Sequence, residues 1–409
     1  MFKIINDPVY GFIKIRYEII YRLIEHPLFQ RLRRIRQLGM THFVYPGANH
    51  TRFQHALGAM HLMEDAIDSI RSKGHAVTEQ EAEAAAIAIL LHDIGHGPFS
   101  HTLERTLIRG AHHETISLLM MEQLNREFSG KLSLAIRIFK NEYRKKFLHQ
   151  LVTGQLDVDR LDYLRRDSFF TGVTEGAIGS DRIIKMLQVQ NDRLVVEENG
   201  IYSIEKFLVA RRLMYWQVYL HKGVLAADQL LIMMLERAKD LAASGKQLFA
   251  TPALAYFLYA AGSTFDEENQ EEFLGNFAAL DDNDIISAAK VWSNEEDPVL
   301  RYLCSGFVNR KLFRIEISRE PFSEERIRLE RKRVTTHLGI PEELTGYLVI
   351  SDSISNHAYS NIDDNIKILA KSGEVRDITE LSEILNVSVL SGQLKKFYLC
   401  YPKKQGIQQ

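Results

Sequence analysis

Residues 84–101 read AAAIAILLHDIGHGPFSH, and this stretch decides the fold. Its first eight residues are apolar without a break. That is too short to cross a bilayer, which takes about 20 residues, and it suits a helix buried on every side. The helix runs straight into His92 and Asp93, so an imidazole and a carboxylate emerge together inside the molecule. Side by side, those groups are a mixed nitrogen and oxygen ligand set for a divalent metal. Gly95 and Gly97 let the backbone turn sharply and approach a ligand. As a bare dipeptide, His-Asp is an ordinary helix end; the signal lies in the longer string HDIGHGPFSH.

Adjacent residues fill only part of a coordination sphere, so further ligands come from elsewhere. Ten of the 15 histidines fall between His42 and His113, and histidine serves both metal ligation and proton transfer near neutral pH. His55 closes RFQH (52–55), which opens a predicted helix. Residues 157–167, DVDRLDYLRRD, put Asp159, Asp162 and Arg166 on one helical face, with Asp159 and Tyr163 also in line. Three acids in six residues usually form a solvated face. Here Leu156, Val158, Leu161 and Leu164 interleave them, so part of that helix is buried.

The 409 residues carry a net charge of −2, with 45% hydrophobic and 25% charged content. This is ordinary globular usage, with material for about two to three domains. No global basic field points to nucleic acid, so an anionic ligand must be met by local cations. Cys304 and Cys400 are far apart and outside any CxxC pattern. Neither a disulfide framework nor a thiolate zinc site is indicated, and a reducing cytoplasm fits. The stretch MFKIINDPVYGFIKI carries charge early and lacks the apolar core of a signal peptide, so a cytoplasmic protein without a membrane anchor is expected.

Residues 2–16 alternate around Asp7-Pro8 and Gly11 and predict a β-hairpin. Residues 17–39 predict two helices, broken at Pro27 and ended by Gly39, before a turn at 45–49. Helices are predicted near 52–73, 78–93, 112–128, 131–140, 144–151, 155–168 and 180–187, with Thr78 and Glu81 forming a capping box for the second. A hairpin turning at Asn191-Asp192 is expected within 188–202, then helical regions over 203–245 and 252–306. From Arg310 the pattern changes, with strands near 311–317 and 346–351 and a helix at 322–338. The expected class is mainly α: a helical core with short β-hairpins over 1–307 and a smaller α+β C-terminal region over 308–409.

The ordered set RFQH, HDIGHGPFSH and DVDRLDYLRRD resembles the HD-domain superfamily. Within it the chain looks most like the deoxynucleoside triphosphate triphosphohydrolases, including the SAM-and-HD-domain enzyme. The likeness runs from residue 3 to about residue 225, with a fainter echo near 300–314. It implies an all-helical HD-domain core in which His55, His92, Asp93 and Asp159 hold one divalent ion. Two imidazoles and two carboxylates suit Mn, Fe, Mg, Zn or Ni. Such an ion lowers the pKa of water and withdraws charge from phosphorus. The resemblance places His96, His101 and His113 in the substrate pocket, where imidazoles suit proton delivery to a leaving oxygen, with Glu114 beside His113 to orient it.

Arg52, Arg160 and Arg211 match phosphate-contacting positions, where an arginine fork binds two oxygens at once. Tyr163 matches a phosphate-contacting tyrosine. Gln37 and Asp167 match residues that hold a sugar 3′-hydroxyl, Leu38 one that crowds a ribose 2′-hydroxyl, and Tyr219 an aromatic wall. The implied reaction is attack of water at the α-phosphorus, giving deoxynucleoside and inorganic triphosphate.

Lys3, Ile4, Asn6, Gln30, Arg33 and Arg310 match a regulatory nucleotide site, which implies a nucleotide effector and a homo-oligomer, dimer or tetramer. The chain departs from that pattern. Glu25 stands for the usual aspartate and Phe12 where a histidine is common. Glu197-Glu198-Asn199 replaces basic residues, and carboxylates there would repel an activator's phosphates. An ungated enzyme, or one with a different effector, is an equal expectation. Two other readings stay open: an HD phosphohydrolase for nucleoside monophosphates, cyclic nucleotides or another phosphoester, and a non-catalytic nucleotide-binding sensor.

Overall fold

The computed structural model describes residues 3–102, 106, 112–259, 269–356, 365–382 and 394–403. The opening hairpin forms as expected: β1 (Lys3–Asp7) pairs antiparallel with β2 (Gly11–Ile15). Gly11 has φ 76°, which a side chain would resist, and Asp7 Oδ1 accepts the amides of Val9 and Tyr10 at 2.9 and 3.0 Å.

Helices α1 (Glu18–Glu25) and α2 (Pro27–Gln30) come next, broken at His26 just before Pro27, and a 3-10 turn covers Arg31–Arg34. The helix predicted to reach Gly39 stops there. Ile35 is extended (φ −119°, ψ 116°) because long-range partners outcompete local ones. Arg36 bridges Thr51, the Gln37 amide donates to His50 O at 3.0 Å, and the Arg36 amide donates to Asp282 Oδ2 at 3.0 Å. Gly39 therefore opens a second 3-10 turn, Gly39–Phe43, rather than closing a helix.

The central helices are α3 (Arg52–Ser72), α4 (Glu79–Leu91), α5 (His113–Glu127), α6 (Ser133–Phe139), α7 (Lys146–Val152) and α8 (Val158–Thr171). No residue from 84 to 91 exceeds 4% exposure, so α4 is buried all round and must lie against other helices. It packs on α3, and α3 on α8, which brings three chain-distant termini together. Thr78 and Glu81 form the predicted capping box, while Asp157 caps α8 through the Arg160 amide at 2.7 Å.

After α9 (Ser180–Met186), strands β3 (Leu187–Gln190) and β4 (Arg193–Glu197) turn at Asn191 and Asp192, both with positive φ. The helical region expected over 203–245 divides. Helix α10 (Ile201–Met214) ends in a π turn, Tyr215–Tyr219, and α11 (Lys222–Ala243) starts afresh. Helices α12 (Pro252–Tyr259), α13 (Gln270–Ala279), α14 (Asp282–Trp292) and α15 (Pro298–Val308) complete the helical part. No single helix among the described residues is long and apolar enough to cross a membrane.

The C-terminal region holds β5 (Arg314–Ser318), α16 (Glu324–Leu338), β6 (Ile350–Asn356), β7 (Lys367–Leu369), β8 (Val375–Asp377), α17 (Ile378–Leu381) and β9 (Leu394–Tyr401). The strand predicted at 346–351 begins only at Ile350, because 342–347 coils into a 3-10 turn. One sheet runs β5-β9-β6. The other runs β3-β4-β7-β8, with β7 parallel to β4, so strands from beyond residue 308 extend a hairpin of the helical part.

Candidate metal centre and adjoining cavity

Three helix ends deliver the centre. His55 lies in the first turn of α3, His92 and Asp93 just past the end of α4, and Asp159 in the first turn of α8. His55 Nε2 is 3.1 Å from Asp159 Oδ1 and 3.7 Å from Asp93 Oδ2. His92 Nε2 is 3.3 Å from Asp93 Oδ1 and 3.5 Å from Asp159 Oδ1. The other nitrogen of each ring is committed: His55 Nδ1 to Asp162 Oδ2 at 2.7 Å, His92 Nδ1 to Ile89 O at 2.6 Å. Those acceptors fix the proton on Nδ1 and leave Nε2 to act as a ligand.

Both Nε2 atoms are buried without a hydrogen-bond partner. Buried polar atoms left so are costly, and two of them converging on two carboxylates fit a divalent cation. Without a cation the carboxylates draw a proton instead. Burial lowers the His55 pKa, but Asp159 and Asp162 outweigh it and push it up to about 10. Proton and cation compete for one place, so metal affinity rises with pH.

The supports reach outward in a buried chain. Arg166 donates to both Asp162 oxygens at 3.0 Å and to Asp7 Oδ2 at 2.8 Å, tying the hairpin turn to the acceptor that orients His55. Gly58, one turn after His55, makes room for that pair. A Cβ there would lie 2.9 Å from Asp162 Cγ and closer still to Asp162 Oδ1 and Arg166 Nη2.

The loop after Asp93 is held by Arg31, which is fully buried and donates to the carbonyls of Ile94 and His96, each at 2.9 Å. Burial draws its pKa down to about 9. Gly95 lets α5 approach, since a Cβ would lie 2.8 Å from the Ile116 carbonyl carbon and closer to the backbone of His113 and Ser117. The result stacks the His96 and His113 rings, centroids 4.1 Å apart, with His96 Nδ1 3.3 Å from Asp93 Oδ1.

Beside the centre lies a cavity of about 300 Å³ lined by Gln37, Leu38, Arg52, Tyr163, Asp167 and Tyr219, together with Tyr215 and Asp228. Arg52 joins the two spaces: Nη1 pairs with Asp93 Oδ2, and Nε donates to Ser100 Oγ at 2.9 Å. Gln37 Oε1 is buried with no partner. Asp167 accepts from His50 Nε2 and from the Tyr219 hydroxyl, both at 2.7 Å.

Residues 52–167 match the HD domain family and 178–251 its HD associated region. A solved phosphohydrolase of Bacteroides thetaiotaomicron is 56% identical, covers 98% of this chain and 100% of its own, and superposes with a TM-score of 0.95. The uncharacterized protein YwfO of Bacillus subtilis is 31% identical over 98% of this chain and 92% of its own length. This chain belongs to the HD-domain phosphohydrolase superfamily. A deoxynucleoside triphosphate triphosphohydrolase SAMHD1 homolog of Dictyostelium discoideum is 33% identical over 54% of this chain, which spans 46% of that relative.

Arg160 pairs with Asp157 and lines a neighbouring polar cavity, Arg211 donates to Gln155 Oε1 at 3.2 Å, and both arginines lie within electrostatic reach of Tyr163 in the wall of the 300 Å³ cavity. Glu114 is exposed in the first turn of α5, where successive residues point about 100° apart. The His101 side chain lies outside the described residues. Lys3, Ile4 and Asn6 lie exposed on β1; Arg33 donates to Gln30 Oε1 at 2.8 Å, and Arg310 donates to Phe43 O at 2.6 Å. Glu197 is not a bare repelling charge, since it pairs with Lys73 Nζ at 2.6 Å.

Sequence reasoning missed Arg31, His50, Gly58 and Asp228. Arg31 sits in the basic run beside Gln30 and Arg33, and Gly58 one turn from His55; both signals are legible only once their partners are known.

Proposed function

We propose that this chain hydrolyses deoxynucleoside triphosphates to deoxynucleoside and inorganic triphosphate. The observation that carries the reading is Arg52, whose guanidinium touches the ligand carboxylate Asp93 and also lines the 300 Å³ cavity, so one bound molecule can meet both. His55, His92, Asp93 and Asp159 would hold the divalent cation, which supplies Lewis acidity and charge neutralisation at phosphorus.

The chain's own groups do the rest. Arg52 offers charge-assisted donors to phosphate oxygens. The stacked His96 and His113 would deliver a proton to the leaving oxygen. Gln37 Oε1, buried and unpartnered, accepts a sugar hydroxyl. Leu38 beside it offers nothing to a 2′-hydroxyl, so a ribose would bury an unsatisfied group there. Asp167, already engaged twice, holds Tyr219 as a wall. The likeness to the Dictyostelium deoxynucleoside triphosphate triphosphohydrolase homolog supports the same substrate class.

The test is to reconstitute the protein with divalent metal, present each dNTP and NTP separately, and resolve the products. Inorganic triphosphate from dNTPs is expected. Turnover only of monoesters or cyclic diesters would refute the reading, as would nucleotide binding without turnover.

A further inference from the structure

Two carboxylates line the cavity, Asp167 and Asp228, and of these Asp167 is held by His50 and Tyr219. Asp228 lies in the interior of α11, where aspartate is a poor helix former and caps nothing. It shares the wall with Thr41, Thr102 and Val224, and Thr102 Oγ1 donates to its Oδ1 at 3.1 Å. Among the described residues no ion pair includes it. Asp93 has Arg52, Asp159 has two imidazoles, and Asp167 has His50 and Tyr219. The Tyr398 hydroxyl of β9 lies within electrostatic reach of Asp228. Burial pushes the Asp228 carboxyl up to about 7, as expected of a group short of donors.

What Asp228 lacks is hydrogen-bond donors beyond Thr102, and the parts of a nucleotide differ in supplying them. Phosphates repel a carboxylate. Base edges carry N–H groups. Guanine presents two adjacent donors, N1–H and N2–H2, which match two carboxylate oxygens. Adenine and cytosine present one amino group beside a ring acceptor, and thymine sets its N3–H between two carbonyls. We propose that Asp228, held by Thr102, reads the nucleobase edge and selects bases with adjacent N–H donors, guanine most and thymine least. This rests on the deoxynucleotide reading of the same cavity.

The experiment measures kcat/KM of the metal-loaded protein for dGTP and dTTP in the natural chain, Asp228→Asn and Thr102→Val. Asparagine keeps the shape and offers one donor in place of an acceptor. The dGTP to dTTP ratio should fall by about tenfold or more in Asp228→Asn, the loss of one hydrogen bond to a charged acceptor. It should fall less in Thr102→Val, which removes only the hydroxyl that holds Asp228. An unchanged ratio in a folded Asp228→Asn overturns the proposal. If that variant does not fold, an unchanged ratio in Thr102→Val overturns it instead. Calorimetry with deoxyguanosine and thymidine on the natural metal-loaded protein gives a readout without turnover, and equal affinities also overturn it. Absence of any dNTP hydrolysis would sink the parent reading, while the nucleoside comparison would still decide the role of Asp228.

Discussion

Substituting Gly58 by alanine sets two physical effects against each other. In an ordinary helix interior the change stabilises, by about 1 kcal/mol, because glycine loses more backbone freedom on folding. In α3 the added Cβ would lie 2.9 Å from Asp162 Cγ, inside the space of the Asp162–Arg166 pair. Both partners are fully buried side-chain ends with no room to retreat, and moving either breaks a contact to His55 or Asp7. Disrupting a buried pair costs about 3–5 kcal/mol. The helix gain offsets about 1 of that, so the net expectation is a loss of about 2–4 kcal/mol.

The same displacement loosens the acceptor that orients His55, and such outer partners typically carry about 10–100-fold in metal affinity. Urea denaturation of the metal-free protein reads the first effect, and competitive metal titration with a calibrated chelator reads the second. A Gly58→Ala protein as stable as the natural chain, with unaltered metal affinity, would refute the reasoning. It would mean that the Arg166 relay is dispensable to the centre.

Two further outcomes separate roles that proximity alone confuses. Asp159→Ala should lose bound metal and activity together, whereas His113→Ala should keep metal, measured by elemental analysis, and lose turnover; loss of metal from His113→Ala would contradict its assignment to proton transfer. Glu81 tests the electrostatics away from the site. Burial alone would raise its pKa, but Lys145, Tyr143 and the Thr78 amide outweigh burial and hold it at about 2, below the usual 4.5. A depressed carboxyl stabilises above its unfolded pKa, and that stability is lost as pH falls through the folded value. Thermal unfolding of Glu81→Gln should show lower stability at neutral pH and a flatter decline between pH 4.5 and about 2. An acid limb as steep as in the natural chain would contradict this.

Much of the centre is legible before folding because its grammar is local. The unbroken apolar run at 84–91 can only be a buried helix, so His92 and Asp93 at its end must emerge inside. Helical spacing puts Asp159, Asp162 and Arg166 on one face of α8. Glycines at 95 and 97 announce a turn. Extension at Ile35 was not legible, because the helix-breaking bonds come from Asp282, 246 residues away from Arg36. Nor was the retreat of Glu114 to solvent, since adjacency in sequence on a helix does not give adjacency in space.

The chain alone determined which residue types were available to bind a metal, their order, and the helices that carry them, because periodicity and capping act over a few residues. The tertiary structure decided which atoms do it. It put Asp162, 107 residues from His55, on Nδ1, and so turned Nε2 toward Asp93 and Asp159. It also gathered Gln37, Leu38 and Asp167 into one cavity wall and gave Asp228 a place in it. Ligand geometry and desolvation arise only when distant segments pack, so no local pattern could have stated them.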